Sequence, residues 1–185
     1  MQLGTSTGVS PSLIARAKRV RLVVFDVDGV LTDGRLFLSD QGRESICFDI
    51  KDGLGLVMLR DSGLELAVIS GRKSSIVADR MKDLGVKHVY LGCVDKLPVF
   101  LSLLERLCLS SAQAAYVGDD LPDVPVMRQV GLAVAVADAV EQVTAVAHWQ
   151  TNSLGGRGAV REVCELILWA QGRLETQLAR FLVPD

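Results

Sequence analysis

The chain has no surplus of positive charge. Its 185 residues carry 20 Lys+Arg against 22 Asp+Glu, a formal net charge of −2. No basic field is therefore available to hold a nucleic-acid backbone. No apolar run reaches the roughly 18 residues of a membrane span. The opening MQLGTSTGVSPSL is small and polar and lacks the basic-then-apolar order of a secretory signal. Histidine is scarce: His88 and His148 are too few and too badly placed for a zinc site, and His148 in AVAHWQT reads as structural. Cysteine is scarce as well. Cys47, Cys93, Cys108 and Cys164 are scattered without a CxxC pair, which reads as reduced core thiols of a cytoplasmic protein rather than a disulfide or zinc set. What is present is 49% hydrophobic and 23% charged residues, the balance of a globular protein forming one domain over 1–185.

Short apolar runs rich in β-branched residues occur at 22–26, 65–70, 88–91, 114–118 and 132–136. Helix-like segments lie at 52–62, 72–84, 95–108, 121–129 and 138–146, and a last helix at 158–172. Strand and helix in alternation predict an α/β fold, a parallel sheet with helices on both faces. One segment breaks the rhythm. RLFLSDQGRESICFDI, 35–50, holds two β-like runs around Asp40-Gln41-Gly42, and predicts a small β-hairpin insertion. It could be a plain surface hairpin, but its position next to the acidic residues that follow the first strand favours a cap over a site. Residues 155–185 complete the chain as a loop, a helix and a tail.

Polar clusters mark the ends of these strands. Asp26 and Asp28 end the first, Ser70 the second, and Gly118, Asp119 and Asp120 the fourth. In open α/β sheets ligands bind outside the carboxyl ends of the strands, so residues almost a hundred positions apart converge. Taken singly, each acidic residue has an ordinary use as a helix cap, and Asp123 has an alternative reading as a surface helix-start aspartate. Taken together, several carboxylates at close range need a cation to offset them. An oxygen-only set suits Mg²⁺ bound alongside a substrate phosphate.

DVDGVLTDG, VISGR, Lys96 in DKL and VGDDLPD resemble, in order, the four motifs of the haloacid dehalogenase superfamily, over about residues 20–172. The hairpin in place of a large cap, KDGLG, ISGR and GGRGAVREVCELIL narrow the resemblance to its 3-deoxy-D-manno-octulosonate 8-phosphate (Kdo 8-phosphate) phosphatase branch, which serves lipopolysaccharide biosynthesis. The resemblance implies a Rossmann-like hydrolase using Mg²⁺. Asp26 would be the nucleophile and form an aspartyl-phosphate, with Asp28 as general acid and then general base. Ser70 and Lys96 would hold the phosphoryl group. Asp26, the backbone carbonyl of Asp28, and Asp119 would ligate the metal, with Asp120 and Asp123 behind them.

On the substrate side the resemblance adds Asp49, Ile50, Lys51, Asp52 and Gly53, and Arg72 and Arg80, which the sequence places eight apart on one helix. It also implies a homotetramer in which Arg157 of GGRG acts on a neighbour's site. A flexible loop with an arginine suits an anion, although glycines there also fit a plain connection. Where the family commonly carries Arg or Lys, this chain has Val57, so another sugar-acid phosphate such as KDN 9-phosphate is an alternative substrate. A catalytically silent oligomerisation module is a second alternative, against which all the motif aspartates stand. A phosphoacceptor receiver domain would place its aspartate on the third strand and its acidic pair on the first, which does not match.

Overall fold

The computed structural model describes residues 9–182. Most of the polar opening and the last residues of the tail, 1–8 and 183–185, lie outside the described residues. Helix α1 (Pro11–Arg19) comes first, with Ser10 Oγ accepting the Leu13 N–H at 3.1 Å. It was not expected, yet its signals are in the sequence: a Ser-Pro start and Leu13 and Ala17 four apart, both buried. Strand β1 (Leu22–Phe25) follows, then the hairpin β2 (Phe37–Leu38) and β3 (Glu44–Ser45), α2 (Ile50–Asp61), β4 (Glu65–Ser70) and α3 (Ser75–Asp83). After β5 (His88–Leu91) come α4 (Lys96–Leu107), β6 (Ala114–Gly118), α5 (Val124–Met127), β7 (Leu132–Ala135) and α6 (Glu141–Thr144). Strand β8 (Trp149–Gln150), α7 (Ala159–Ala170) and α8 (Leu174–Leu182) end the described chain.

Six strands pair in parallel in the order β5-β4-β1-β6-β7-β8. The chain moves outward from β1 to β5, then returns to β6 on the other side of β1. The carboxyl end of β1 is therefore the point at which the strand order reverses, where such sheets bind ligands. Successive side chains of a strand point to opposite faces. Val23, Phe25, Val68 and Val117 pack against α1, α2, α3 and α7, while Val24, Ile69, Tyr116 and Ala133 pack against α4, α5 and α6. Burial on both faces explains why these strands read as continuous apolar runs.

Several expected elements are shorter. The segment 121–129 splits into a 3₁₀ turn at Leu121–Asp123 and the one-turn α5, with Pro122 and Pro125 each opening a turn. The helix expected at 72–84 begins at Ser75, because Ser74 takes the capping position. Arg72 therefore lies in the loop before α3 rather than sharing a helix with Arg80. The thiols also differ from the expectation. All four cysteines are free, but Cys164 alone of them is buried; Cys47 and Cys108 are exposed. His148 is structural as read, its Nδ1 accepting the Ala133 N–H at 2.8 Å. Among the described residues no helix is long and apolar enough to cross a membrane.

The 155–158 loop packs onto the loop that follows β1. Gly156 N–H donates to Val30 O at 2.8 Å. A Cβ on Gly155 would stand 1.7 Å from the carbonyl oxygen of Gly29, so only a glycine fits there. Gly155→Ala is expected to destabilise the protein by about 2 kcal/mol, a drop in Tm of roughly 4–8 °C for a chain of this size. A thermal melt identical to wild type would show that the two loops do not approach so closely.

Candidate active site

Asp26 follows β1 directly, and its N–H still donates to Val117 O of β6 at 3.0 Å. Ser70 is the last residue of β4, and Asp119 follows β6. Lys96 opens α4, whose N-cap is Asp95. These positions border a cleft of about 390 Å³ lined by Asp26, Asp28, Arg72, Lys96, Asp119 and Asp120, with Gly34, Gly71, Val94 and Pro122.

The deepest part is a charge network. Lys96 Nζ, 3% exposed, stands 2.8 Å from Asp26 Oδ1 and 2.7 Å from Asp123 Oδ1. Asp123 is fully buried. Its Oδ1 also accepts the Tyr116 hydroxyl at 2.7 Å, and its Oδ2 accepts the N–H groups of Asp119 and Asp120 at 3.0 and 3.3 Å. Burial pulls the Lys96 ammonium down, but the charges of Asp26 and Asp123 outweigh it and leave it raised. The carboxylates are less fully compensated. Burial, then Asp123, pushes Asp26 up to about 7 against the pull of Lys96. Burial, then Asp26 and Asp123, pushes Asp119 up to about 8.

Carboxylate oxygens of Asp26, Asp119 and Asp123 lie within 4.8 Å of one another. Both oxygens of Asp123 are already taken by hydrogen-bond donors, so it braces the site rather than facing an ion. Asp119 Oδ1 is the opposite case: it is buried and has no partner. An orphaned buried oxygen beside the raised Asp26 carboxyl fits a hard, oxygen-seeking divalent cation. Gly29 makes room for it. Its φ is +88°, and a Cβ there would stand 2.0 Å from Asp119 Oδ2.

Asp28 faces the other side of the cleft. Its Oδ2 accepts the Arg72 Nε–H at 3.1 Å and lies 3.4 Å from Ser70 Oγ. Its nearest charged partner is thus a cation; the close carboxylates are Asp26, Asp119 and Asp123. The Arg72 guanidinium reaches on through Nη2 to Glu44 of β3.

The expected substrate residues divide. Asp49 caps α2 by accepting the Lys51 N–H at 2.6 Å, and the Ile50 and Lys51 side chains are exposed. Arg80 lies over the Phe48 ring, 6.0 Å from its centroid, and close beside Gly53. Asp52 does not face the cleft. It is 1% exposed and accepts the N–H groups of Gly158 and Arg161 at 3.2 and 2.7 Å, so its carboxylate caps α7. Arg157 pairs with Asp33 of its own chain at 3.3 Å and is largely exposed.

Three residues were not foreseen. Thr32 Oγ1 donates to Val27 O and accepts from Gly29 and Gly34 N–H, tying the loop after β1 together. Tyr116 anchors Asp123; a tyrosine in the middle of a buried strand needs a hydroxyl partner, which was its signal. Glu44 had no local signal.

The model of a family described as haloacid dehalogenase-like hydrolase matches residues 89–162. The chain is 48% identical over 167 residues to the 3-deoxy-D-manno-octulosonate 8-phosphate phosphatase of Escherichia coli strain K12, covering 90% of this chain and 89% of that protein. A crystal structure of the Moraxella catarrhalis phosphatase of that name, in complex with a magnesium ion, a phosphate ion and a KDO molecule, has a TM-score of 0.89. The two are 43% identical over 91% of this chain and 97% of that one. A probable phosphatase of Pseudomonas syringae reaches a TM-score of 0.93 at 51% identity, over 95% of this chain and 100% of that one.

Unfolded, the Asp26 and Asp119 carboxyls titrate near 3.8; folded, at about 7 and about 8. Between those limits the folded, metal-free protein holds protons that the unfolded chain has lost, so its stability falls as pH rises from about 4 to 8. Tm in a chelator should drop across that range, and Mg²⁺ should raise it more at pH 8 than at pH 5; equal Mg²⁺ shifts at both would contradict the raised carboxyls. Asp52→Ala should cost about 1–2 kcal/mol of stability as a lost helix cap and leave KM within about twofold. A raised KM at unchanged Tm would return Asp52 to the substrate.

Proposed function

We propose that this chain, which belongs to the haloacid dehalogenase-like hydrolases and within them to the family of the 3-deoxy-D-manno-octulosonate 8-phosphate phosphatases, hydrolyses Kdo 8-phosphate to Kdo and inorganic phosphate. The observation that carries the proposal is Asp26, ion-paired to buried Lys96 at the end of the central strand and beside the unpartnered oxygen of Asp119.

The reaction divides into two halves. An Asp26 oxygen attacks phosphorus, the bond from phosphorus to the sugar oxygen breaks, and Asp28 gives its proton to that oxygen. Water then attacks the aspartyl-phosphate, Asp28 takes the proton back, and Asp26 is released. Lys96 offsets the charge that Asp26 and the phosphoryl oxygens bring together, and the Ser70 hydroxyl donates to one of those oxygens. Mg²⁺, which Asp26, Asp119 and the backbone carbonyl of Asp28 would hold with Asp120 and Asp123 behind them, supplies electrostatic neutralisation of the transferring group.

Arg72 lines the cleft and is the basic residue nearest to Asp28. Asp49, Ile50, Lys51, Gly53 and Arg80 would meet the sugar-acid end, joined by Arg157 from a neighbouring subunit. Val57 is partly buried against the apolar layer of α2 and α7, so packing occupies the position at which the resemblance implies a cation. The protein works as a one-domain cytoplasmic homotetramer in lipopolysaccharide biosynthesis. In support of assembly, Leu36, Phe37 and Leu38 of the hairpin and Val94 at the cleft are exposed, an apolar rim suited to coverage by another copy.

Phosphate release with Mg²⁺ from Kdo 8-phosphate, KDN 9-phosphate and hexose phosphates tests the reading. Kdo 8-phosphate should be preferred, and Asp26→Asn should lose more than about 10³-fold in turnover. Preference for KDN 9-phosphate would move the substrate and keep the chemistry. Release from none of them would leave an oligomerisation module.

A further inference from the structure

The hairpin is weakly attached to the body. Its strands are two residues each and carry mostly exposed side chains. Its polar contacts are largely internal: Ser39 N–H to Arg43 O at 2.9 Å, Gly42 N–H to Ser39 O at 2.8 Å, and Arg43 N–H to Ser39 Oγ at 3.1 Å. Among the described residues, one side-chain ion pair ties β2 and β3 to the rest of the chain, Glu44 with Arg72. The same guanidinium uses its Nε–H on Asp28.

These contacts form a relay from an exposed hairpin to the group that moves the proton. A guanidinium is planar, with its donors fixed relative to one another. Holding Nη2 on Glu44 therefore fixes the direction of Nε, and with it the Asp28 carboxylate. Without that hold, Arg72 lies in a loop between Ser70 and the start of α3, one residue beyond a glycine, and a long side chain there has many rotamers to occupy.

We propose that Glu44 is a positioning residue: through Arg72 it holds Asp28 in register with the leaving oxygen, and at the same time it pins the hairpin over the cleft. The inference rests on the reading of Asp28 as the proton donor. The role touches the first half-reaction, in which the bond from phosphorus to the sugar oxygen breaks and the Asp28 proton passes to that oxygen. It matters most when the leaving group is an alkoxide, which must be protonated, and least for a phenolate that leaves without a proton.

The test uses Glu44→Gln, which keeps shape and removes charge, in the full-length protein. Turnover of the sugar-acid phosphate should fall roughly tenfold with KM little changed. The kcat/KM for 4-nitrophenyl phosphate, which reports the same half-reaction with a phenolate leaving group, should stay within about twofold. In an Arg72→Gln background the Glu44→Gln change should have no further effect, because Glu44 acts through Arg72. Hydrogen exchange is the readout independent of activity. Amides of residues 37–45 should exchange faster in Glu44→Gln and in Arg72→Gln alike, with the sheet unchanged. Equal losses on both substrates, a rise in KM alone, an added loss in the Arg72→Gln background, or unaltered exchange over 37–45 would each overturn the proposal. An inactive wild type with the expected exchange would instead count against the phosphatase reading and leave the tether standing.

Discussion

The site depends on one buried cation. Lys96 stands between Asp26 and Asp123 at hydrogen-bond distance from both, with less than a twentieth of its surface exposed. A buried charge without a partner is costly, and removing one member of such a set leaves the others uncompensated. The arrangement is nonetheless short of positive charge. Three acidic groups, Asp26, Asp119 and Asp123, crowd one ammonium, and burial first, then their mutual repulsion, leaves the carboxyls of Asp26 and Asp119 raised. The protein supplies enough positive charge to hold the pocket together and leaves a deficit that a divalent cation would offset.

Hydrogen bonding divides the labour among the aspartates. Asp123 is saturated by Lys96, Tyr116 and two backbone N–H groups, so it is rigid. Asp119 retains a free buried oxygen, so it is receptive. Asp28 is held by Arg72 at the edge of the same cleft. Residues of one chemical type thus acquire different work from their surroundings, and strand position decides the surroundings. The buried ladder of β1 and β6 stops just where Asp26 and Asp119 need to emerge.

Much of this was legible in the sequence because the signals were local and repeated. Apolar runs predicted the five main strands, and the polar residues at their ends predicted which groups would meet. The failures have physical reasons. Strand β8 is two residues long, too short to carry a period. The helix expected from residue 72 begins at Ser75, because a serine cap outweighs helical spacing, and that moved Arg72 off the helix. Asp52 was assigned to the substrate only through the resemblance carried by DIKDG; its partner in the structure, the N-terminus of α7, is more than a hundred residues away and left no local signal. Glu44 was silent for the same reason, since its importance lies wholly in a long-range partner.

The placement of β1 also sets an order of assembly. Its two neighbours in the sheet, β4 and β6, begin at Glu65 and Ala114. As the chain leaves the ribosome, LVVF, among the most completely buried stretches in the protein, therefore waits with an open edge until β6, which begins at Ala114, has been made. Non-local pairing of this kind folds slowly and exposes the waiting strand to mispairing. The aspartate that the central strand presents meets its full set of neighbours only when β6 docks, so a nascent or truncated chain ending before residue 114 would bear Asp26 and Lys96 without Asp119 and Asp123.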